Sequence, residues 1–256
     1  YSSGGHGSLT IEQAVMNSCN PYMIHLALEL GNEKFSAYQS LFGFGKTTGI
    51  DLPGETTGIV YGNKMTTIDA ACNSFGQTIN VNMMQMMSAY CSIINGGMLY
   101  QPHIVKRIES ANGEVVKENK ATLVRQTVTM STSKLLRRYL KSTVETGTAK
   151  KVAVTGYSVA GKTGTAQKSP RSENKWLISF IGHAPADNPK FAIYVIIDEP
   201  DGTTGTSGSS ADVLTLSHDI LEKLLPYMSV YKDSLEPETD TGTAEDEYTV
   251  DGVPEG

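Results

Sequence analysis

Lys162 is the residue best placed for chemistry. It stands in Val159-Ala160-Gly161-Lys162-Thr163-Gly164-Thr165, where small residues on either side let another backbone approach and a strand-borne cation can meet an anion. Thr163 and Thr165 add hydroxyls, and Gly164 between them is expected to admit a substrate backbone. Thr-Gly-Thr alone carries little, because it recurs at Thr146-Gly147-Thr148, Thr204-Gly205-Thr206 and Thr241-Gly242-Thr243; only one copy follows Gly-Lys. The second candidate is Ser18-Cys19-Asn20. It offers a small hydroxyl able to pass a proton and an amide with donor and acceptor on one side chain. The plainer reading is structural: Asn20 caps one helix and Ser18 satisfies the end of the one before.

These residues need elements to hold them. The stretch 152–167 alternates after Gly156, and 176–185 and 191–200 are apolar runs of strand length, each closed by Pro, so three neighbouring strands are predicted with Lys162 on an edge. Thr10-Ile11-Glu12-Gln13 has the form of a capping box, so a short helix is predicted from there to about Asn17. Pro21 suits the first position of a second helix closed at Gly31, which puts Ser18 and Asn20 on the corner between the two. Further helices are predicted at Met83–Ile94, with its methionines as flexible core filler, and at 132–143, with a solvated basic face. A last one, at 212–228, should cover one sheet face. Residues 104–126 read as a surface hairpin turning at Asn112-Gly113.

At 256 residues and 39% apolar content, one large domain with an appendage is expected. A net charge of −6 leaves no basic footprint for nucleic acid, and no apolar run approaches the length that spans a bilayer. The three cysteines sit among apolar neighbours and read as small core residues, and the five histidines share no metal-binding spacing; neither metal nor cofactor is expected. The opening Tyr1-Ser2-Ser3 lacks the pattern of a signal peptide, and a fragment of a longer protein is expected. Residues 201–211 read as a connector, and 229–256, without a basic residue after Lys232, as an acidic, disordered linker.

The string Ala160-Gly161-Lys162-Thr163-Gly164-Thr165-Ala166-Gln167 resembles the Lys-Thr-Gly strand of penicillin-binding transpeptidases. His6-Gly7-Ser8-Leu9-Thr10 through Asn17-Ser18-Cys19-Asn20-Pro21 is similar to the Ser-x-Asn segment of class B (monofunctional) penicillin-binding proteins, and the order of the two motifs agrees. Phe42-Gly43-Phe44-Gly45, the run from Thr48 to Glu55, Gly76-Gln77, Asn95-Gly96-Gly97 and Pro102 resemble the family's intervening stretches. Ser131-Thr132-Ser133-Lys134 matches the nucleophile pattern Ser-x-x-Lys, but in the family that motif precedes Ser-x-Asn, and here it follows. Its place resembles the helix leading to the family's Gly-Thr-Ala loop, here Gly147-Thr148-Ala149.

The resemblance, over residues 1–228, implies an incomplete α/β transpeptidase domain of serine β-lactamase-like fold, with a mainly antiparallel sheet flanked by helices. The serine and its helix are expected upstream, so the isolated chain should be inactive, poorly soluble and open along one sheet edge. The implied activity is D,D-transpeptidation, in which a serine acylated by a D-alanyl-D-alanine stem peptide is resolved by a second peptide's amine. Ser18 would relay a proton, Asn20 hold the acyl-side amide, and Lys162 supply positive potential. Thr163 and Thr165 would bind the carboxylate, with the Thr165 N–H as half of the oxyanion hole and Gly164 clearing the approach. Implied partners are peptidoglycan stem peptides, β-lactams as covalent inhibitors, and the bacterial membrane, through an N-terminal anchor outside this sequence, on its extracytoplasmic face. A serine β-lactamase or β-lactam sensor, and a noncatalytic scaffold of the same fold, stay open as alternatives.

Overall fold

A computed structural model describes residues 6–200 and 210–233. The Thr10 side chain accepts from the Gln13 N–H while Gln13 answers to the Thr10 backbone, and helix α1 (Ile11–Met16) follows, capped at its end by Asn17. Helix α2 (Asn20–Leu30) begins one residue before Pro21; its N-cap is Cys19, which makes no side-chain capping bond. The plainer reading of Asn20 as a cap is therefore wrong. Gly31, at φ 80°, closes α2 and opens α3 (Asn32–Leu41), a helix not anticipated because no Ser, Thr, Asp or Asn stands at its cap. Two more capping boxes, Thr66 with Asp69 and Asn82 with Gln85, start α4 (Thr67–Asn73) and α5 (Met83–Ile94).

Helix α5 departs from its expected chemistry. Met83 is 50% exposed and the other three methionines are half-buried, whereas Gln85, at 1% exposure, lies inside. The Gln85 amide donates to the carbonyls of Lys46 and Thr57 and accepts from the Asn82 N–H, so its burial is matched by hydrogen bonds. The predicted hairpin is also smaller than expected. Strands β2 (Arg107–Glu109) and β3 (Val115–Glu118) pair across Gly113, but β4 (Thr122–Gln126) leaves them to pair antiparallel with β1 (Met98–Gln101).

Helix α6 (Met130–Glu145), capped by Thr129, is longer than predicted; Lys134 and Arg138 lie exposed on its basic face, and three of the four basic side chains also have partners. Arg137 donates to the Ile94 carbonyl, Arg138 pairs with Glu12 on α1, and Lys141 reaches Glu145 and Asp187.

The three predicted strands form an antiparallel sheet ordered β5 (Ala160–Gln167), β6 (Trp176–Ala184), β7 (Phe191–Asp198), with Lys162 opposite Ile181. One face carries Ile178, Phe180 and Ala184 with Phe191, Ile193, Val195 and Ile197, and packs in one core with Val213, Leu214, Leu221 and Leu225 of α7 (Ala211–Tyr227). Burying Leu221 and Leu225 fully is worth roughly 1.5–3 kcal/mol each. Gly161 and Gly182 stand opposite one another, and a Cβ on either would strike the Phe180 ring, so the pair forms the slot that ring fills. The opposite face carries Lys162, Ser179, Ile181 and His183.

The tail expectation needs adjusting at its start: Val230 is 4% exposed within the core, and the Asp233 N–H bonds the Gly156 carbonyl. The rest of that segment, and most of the 201–211 connector, lie outside the described residues. Of the cysteines only Cys19 is buried; Cys72 and Cys91 are half-buried, and all three are free thiols. No helix of the described residues is long and apolar enough to cross a membrane, and they hold no cluster suited to a metal ion.

Candidate active site

The site starts at the end of α1. There the Cys19 N–H bonds the Ala14 carbonyl and the Ser18 N–H bonds the Val15 carbonyl, the two crossed bonds of a Schellman closure. That closure needs a left-handed residue, a place glycine usually takes. Ser18 occupies it at φ 51°, a conformation costing an L residue about 1–2 kcal/mol. The closure points the chain into α2 and fixes the Ser18 hydroxyl on a tight corner.

A second segment docks on this corner. The Thr148 N–H bonds the Met16 carbonyl at 3.2 Å, and a Cβ on Gly147 would stand 2.6 Å from that same oxygen, so only glycine lets the loop sit so close. Glu12 ties the two helices, accepting from Ser142 Oγ at 2.6 Å and from Arg138 at 3.3 Å. The Thr143 hydroxyl of α6 donates to the carbonyl of Gly161, which joins α6 to the edge strand.

Lys162 crosses from β5 to the corner. Its Nζ donates to Ser18 Oγ at 3.0 Å, to the Thr163 carbonyl at 3.0 Å and, more loosely, to Thr163 Oγ1 at 3.4 Å. An ammonium has three protons, and these are three acceptors. All are uncharged, and burial pulls the Lys162 pKa down to about 8, so the group stays mainly cationic at neutral pH.

Strand geometry assigns the free edge. In an antiparallel pair a residue's N–H and C=O point the same way, and directions alternate along the strand. The Gly161 carbonyl is met by Thr143 and the Thr163 carbonyl by Lys162, both from outside the β5–β6 ladder. By that alternation Thr165, which is exposed, turns its N–H outward too. A Cβ at Gly164 would lie 2.5 Å from Ser179 Oγ of the paired strand, so a larger residue there would have to displace that hydroxyl.

Ser18, Lys162 and Thr163 are thus joined by direct hydrogen bonds, with Gly164 and Thr165 next along the strand. Asn20 is half-buried at the start of α2 and has polar interactions of its own. Sequence reasoning missed any part for Thr148, whose Oγ1 is 3.3 Å from Thr163 Oγ1; the Gly147-Thr148-Ala149 string was the available signal. Ser131 of the rejected Ser-x-x-Lys string is exposed at the first turn of α6, bonded to the capping Thr129 hydroxyl, while Ser133 is buried against the Ile93 carbonyl.

Comparison with known proteins decides the family. Residues 1–222 match the family model described as the penicillin binding protein transpeptidase domain. The chain belongs to this transpeptidase family. Stage V sporulation protein D of Bacillus subtilis is 40% identical over 235 residues, 90% of this chain and 36% of that protein. The peptidoglycan D,D-transpeptidase MrdA of Acinetobacter baumannii is 29% identical, over 81% of this chain and 33% of its own. Among solved structures, penicillin binding protein 3 of Mycobacterium tuberculosis complexed with aztreonam superposes with a TM-score of 0.78 at 28% identity, covering 87% of this chain and 52% of that one. The chain therefore spans about a third of the length of such curated relatives. The penicillin-binding transpeptidase fold, with helices about antiparallel sheets, is the expected one.

Proposed function

We propose that this chain supplies the Ser-x-Asn and Lys-Thr-Gly walls of the active site of a peptidoglycan D,D-transpeptidase, acylated at a serine contributed by a segment outside residues 1–256. The observation that carries the reading is the 3.0 Å bond from Lys162 Nζ to Ser18 Oγ, which brings together two motifs 144 residues apart. In this reading a D-alanyl-D-alanine stem peptide lies along the free edge of β5. Its terminal carboxylate faces the Lys162 cation and the hydroxyls of Thr163 and Thr165. The outward Thr165 N–H supplies one donor to the developing oxyanion. Ser18, hydrogen-bonded to a cation that pulls on its lone pairs, relays to the leaving D-alanine amine the proton given up by the attacking serine and is itself left unchanged, and Asn20 holds the acyl-side amide. The amine of a second stem peptide resolves the acyl-enzyme, and β-lactams acylate the same serine without that release. The intact protein is held to the bacterial membrane by an N-terminal anchor, with this domain on the extracytoplasmic face.

Labelling with a fluorescent penicillin tests this. The chain alone, a version extended upstream to its natural start, and that version carrying Lys162→Ala are compared. Stable label is expected on the extended form and none on residues 1–256. Lys162→Ala should slow labelling about 10²- to 10³-fold, the loss found when one preorganised donor is removed. Label on the short chain would place the nucleophile within it. Rapid turnover of the label would point to a β-lactamase, and no label on either form to a noncatalytic scaffold.

A further inference from the structure

Thr163 Oγ1 has two polar neighbours, Lys162 Nζ at 3.4 Å and Thr148 Oγ1 at 3.3 Å. Both are loose for a hydrogen bond, as is common before a ligand tightens a site. A hydroxyl has one proton and two acceptor positions, and an ammonium can only donate. The Lys162 contact therefore takes one acceptor position of Thr163. The Thr148 contact then decides where the Thr163 proton goes. If Thr163 donates to Thr148, its proton is spent inside the protein; if Thr148 donates, both acceptor positions are filled and the proton must point out along the edge of β5.

Thr148 is held for this task by its backbone rather than by its side chain. Its N–H is fixed on the Met16 carbonyl, Gly147 seats the loop against that oxygen, the Ala149 N–H bonds the Thr143 carbonyl, and the Thr143 hydroxyl bonds the Gly161 carbonyl of β5. The hydroxyl of Thr148 thus sits on a frame tied both to the Ser18 corner and to the lysine strand.

We propose that Thr148 is a positioning residue for ligand carboxylate recognition: its hydroxyl donates to Thr163 Oγ1 and so makes the Thr163 hydroxyl an outward donor to the carboxylate. This rests on the transpeptidase reading, in which Thr163 meets that carboxylate. Thr148 acts through Thr163 and need not touch the ligand.

The test uses the intact protein, with benzylpenicillin and its methyl ester each competing against a fluorescent penicillin, so that reversible affinity and limiting acylation rate are separated. Thr148→Val keeps the branched shape and removes the donor. It should weaken reversible binding of benzylpenicillin about 5- to 10-fold, the worth of the one neutral hydrogen bond that is removed, while the limiting rate and the ester's affinity hold. Thr148→Ser should restore the parent's affinity. In a Thr163→Ala background Thr148→Val should change affinity by less than about twofold, because the group it orients is gone. Equal weakening of acid and ester, a full loss in the Thr163→Ala background, failure of Thr148→Ser to rescue, or no effect of Thr148→Val would each overturn the inference and leave the transpeptidase reading standing. A parent that neither probe acylates overturns both.

Discussion

Lys162 and His183 lie on the same face of the same sheet, two register positions apart, since Lys162 pairs with Ile181 and Ala160 with His183. Burial pushes both toward neutrality, Lys162 from 10.5 to about 8 and His183 from 6.5 to about 4. Their partners differ. The His183 Nε2–H donates to the Ala186 carbonyl at 3.1 Å, which can only accept, so Nδ1 accepts from the Tyr90 hydroxyl at 2.7 Å. The ring is neutral, saturated and fully buried, and it fastens α5 to β6. Lys162 instead spends its protons on two hydroxyls and one carbonyl at an open edge. Desolvation of similar size thus yields a fastener where the partners are internal and complete, and an available charge where they are hydroxyls that a ligand can re-engage.

The sharpest way to break this contrast is to exchange what each group loses. Lys162→Ala, expected to cost labelling about 10²- to 10³-fold, should leave thermal stability unchanged or raised, because it removes a desolvated cation. A large fall in melting temperature would make Lys162 a fastener too. For His183 the prediction is an acid dependence. The unfolded chain takes up a proton near 6.5 and the folded one only near 4, so stability should fall as pH drops across that window and level off below it. The total is about 3 kcal/mol at 1.36 kcal/mol per unit, read by denaturant titration from pH 7 to 4. Tyr90→Phe leaves Nδ1 without a donor and should cost about 1–3 kcal/mol of stability with no change in labelling rate.

A smaller effect separates the two groups at high pH. If the Lys162 cation faces the ligand carboxylate, labelling should decline as pH rises through about 8, by about tenfold per unit once past it. A flat profile to pH 10 would remove the charge from the account. Smallest is Ser18→Gly, which relieves the left-handed serine and should raise stability by about 1 kcal/mol while slowing labelling. A destabilised glycine variant would mean that the hydroxyl, rather than the backbone, holds the corner.

Much of this architecture could be read from the chain. Lys162 was legible because glycines, alternation and two Pro-closed apolar runs mark three adjacent strands; the Ser18 corner was legible because a capping box and Pro21 bracket it. What escaped depends on distance in sequence. Alternation shows that 122–126 is a strand but cannot say that it pairs with β1 rather than with its neighbour in the hairpin. Composition marks α5 as methionine-rich but cannot show that Gln85 points inward, because its acceptors are the carbonyls of Lys46 and Thr57. The Ser179 hydroxyl beside Gly164 comes from the paired strand, and the place of Thr148 beside Thr163 depends on a loop seated on Met16. The pKa of Lys162 is likewise a product of tertiary burial, invisible to spacing.

The bond from the Asp233 N–H to the Gly156 carbonyl has a mechanical side. Lys232 lies along Gly156, and Gly156 stands four residues before Ala160, where β5 begins. Tension applied to the chain beyond Asp233 therefore bears first on the turn that leads into the lysine strand, and only then on α7. A pull at Asp233 and the alignment of the Lys162 edge share one load path.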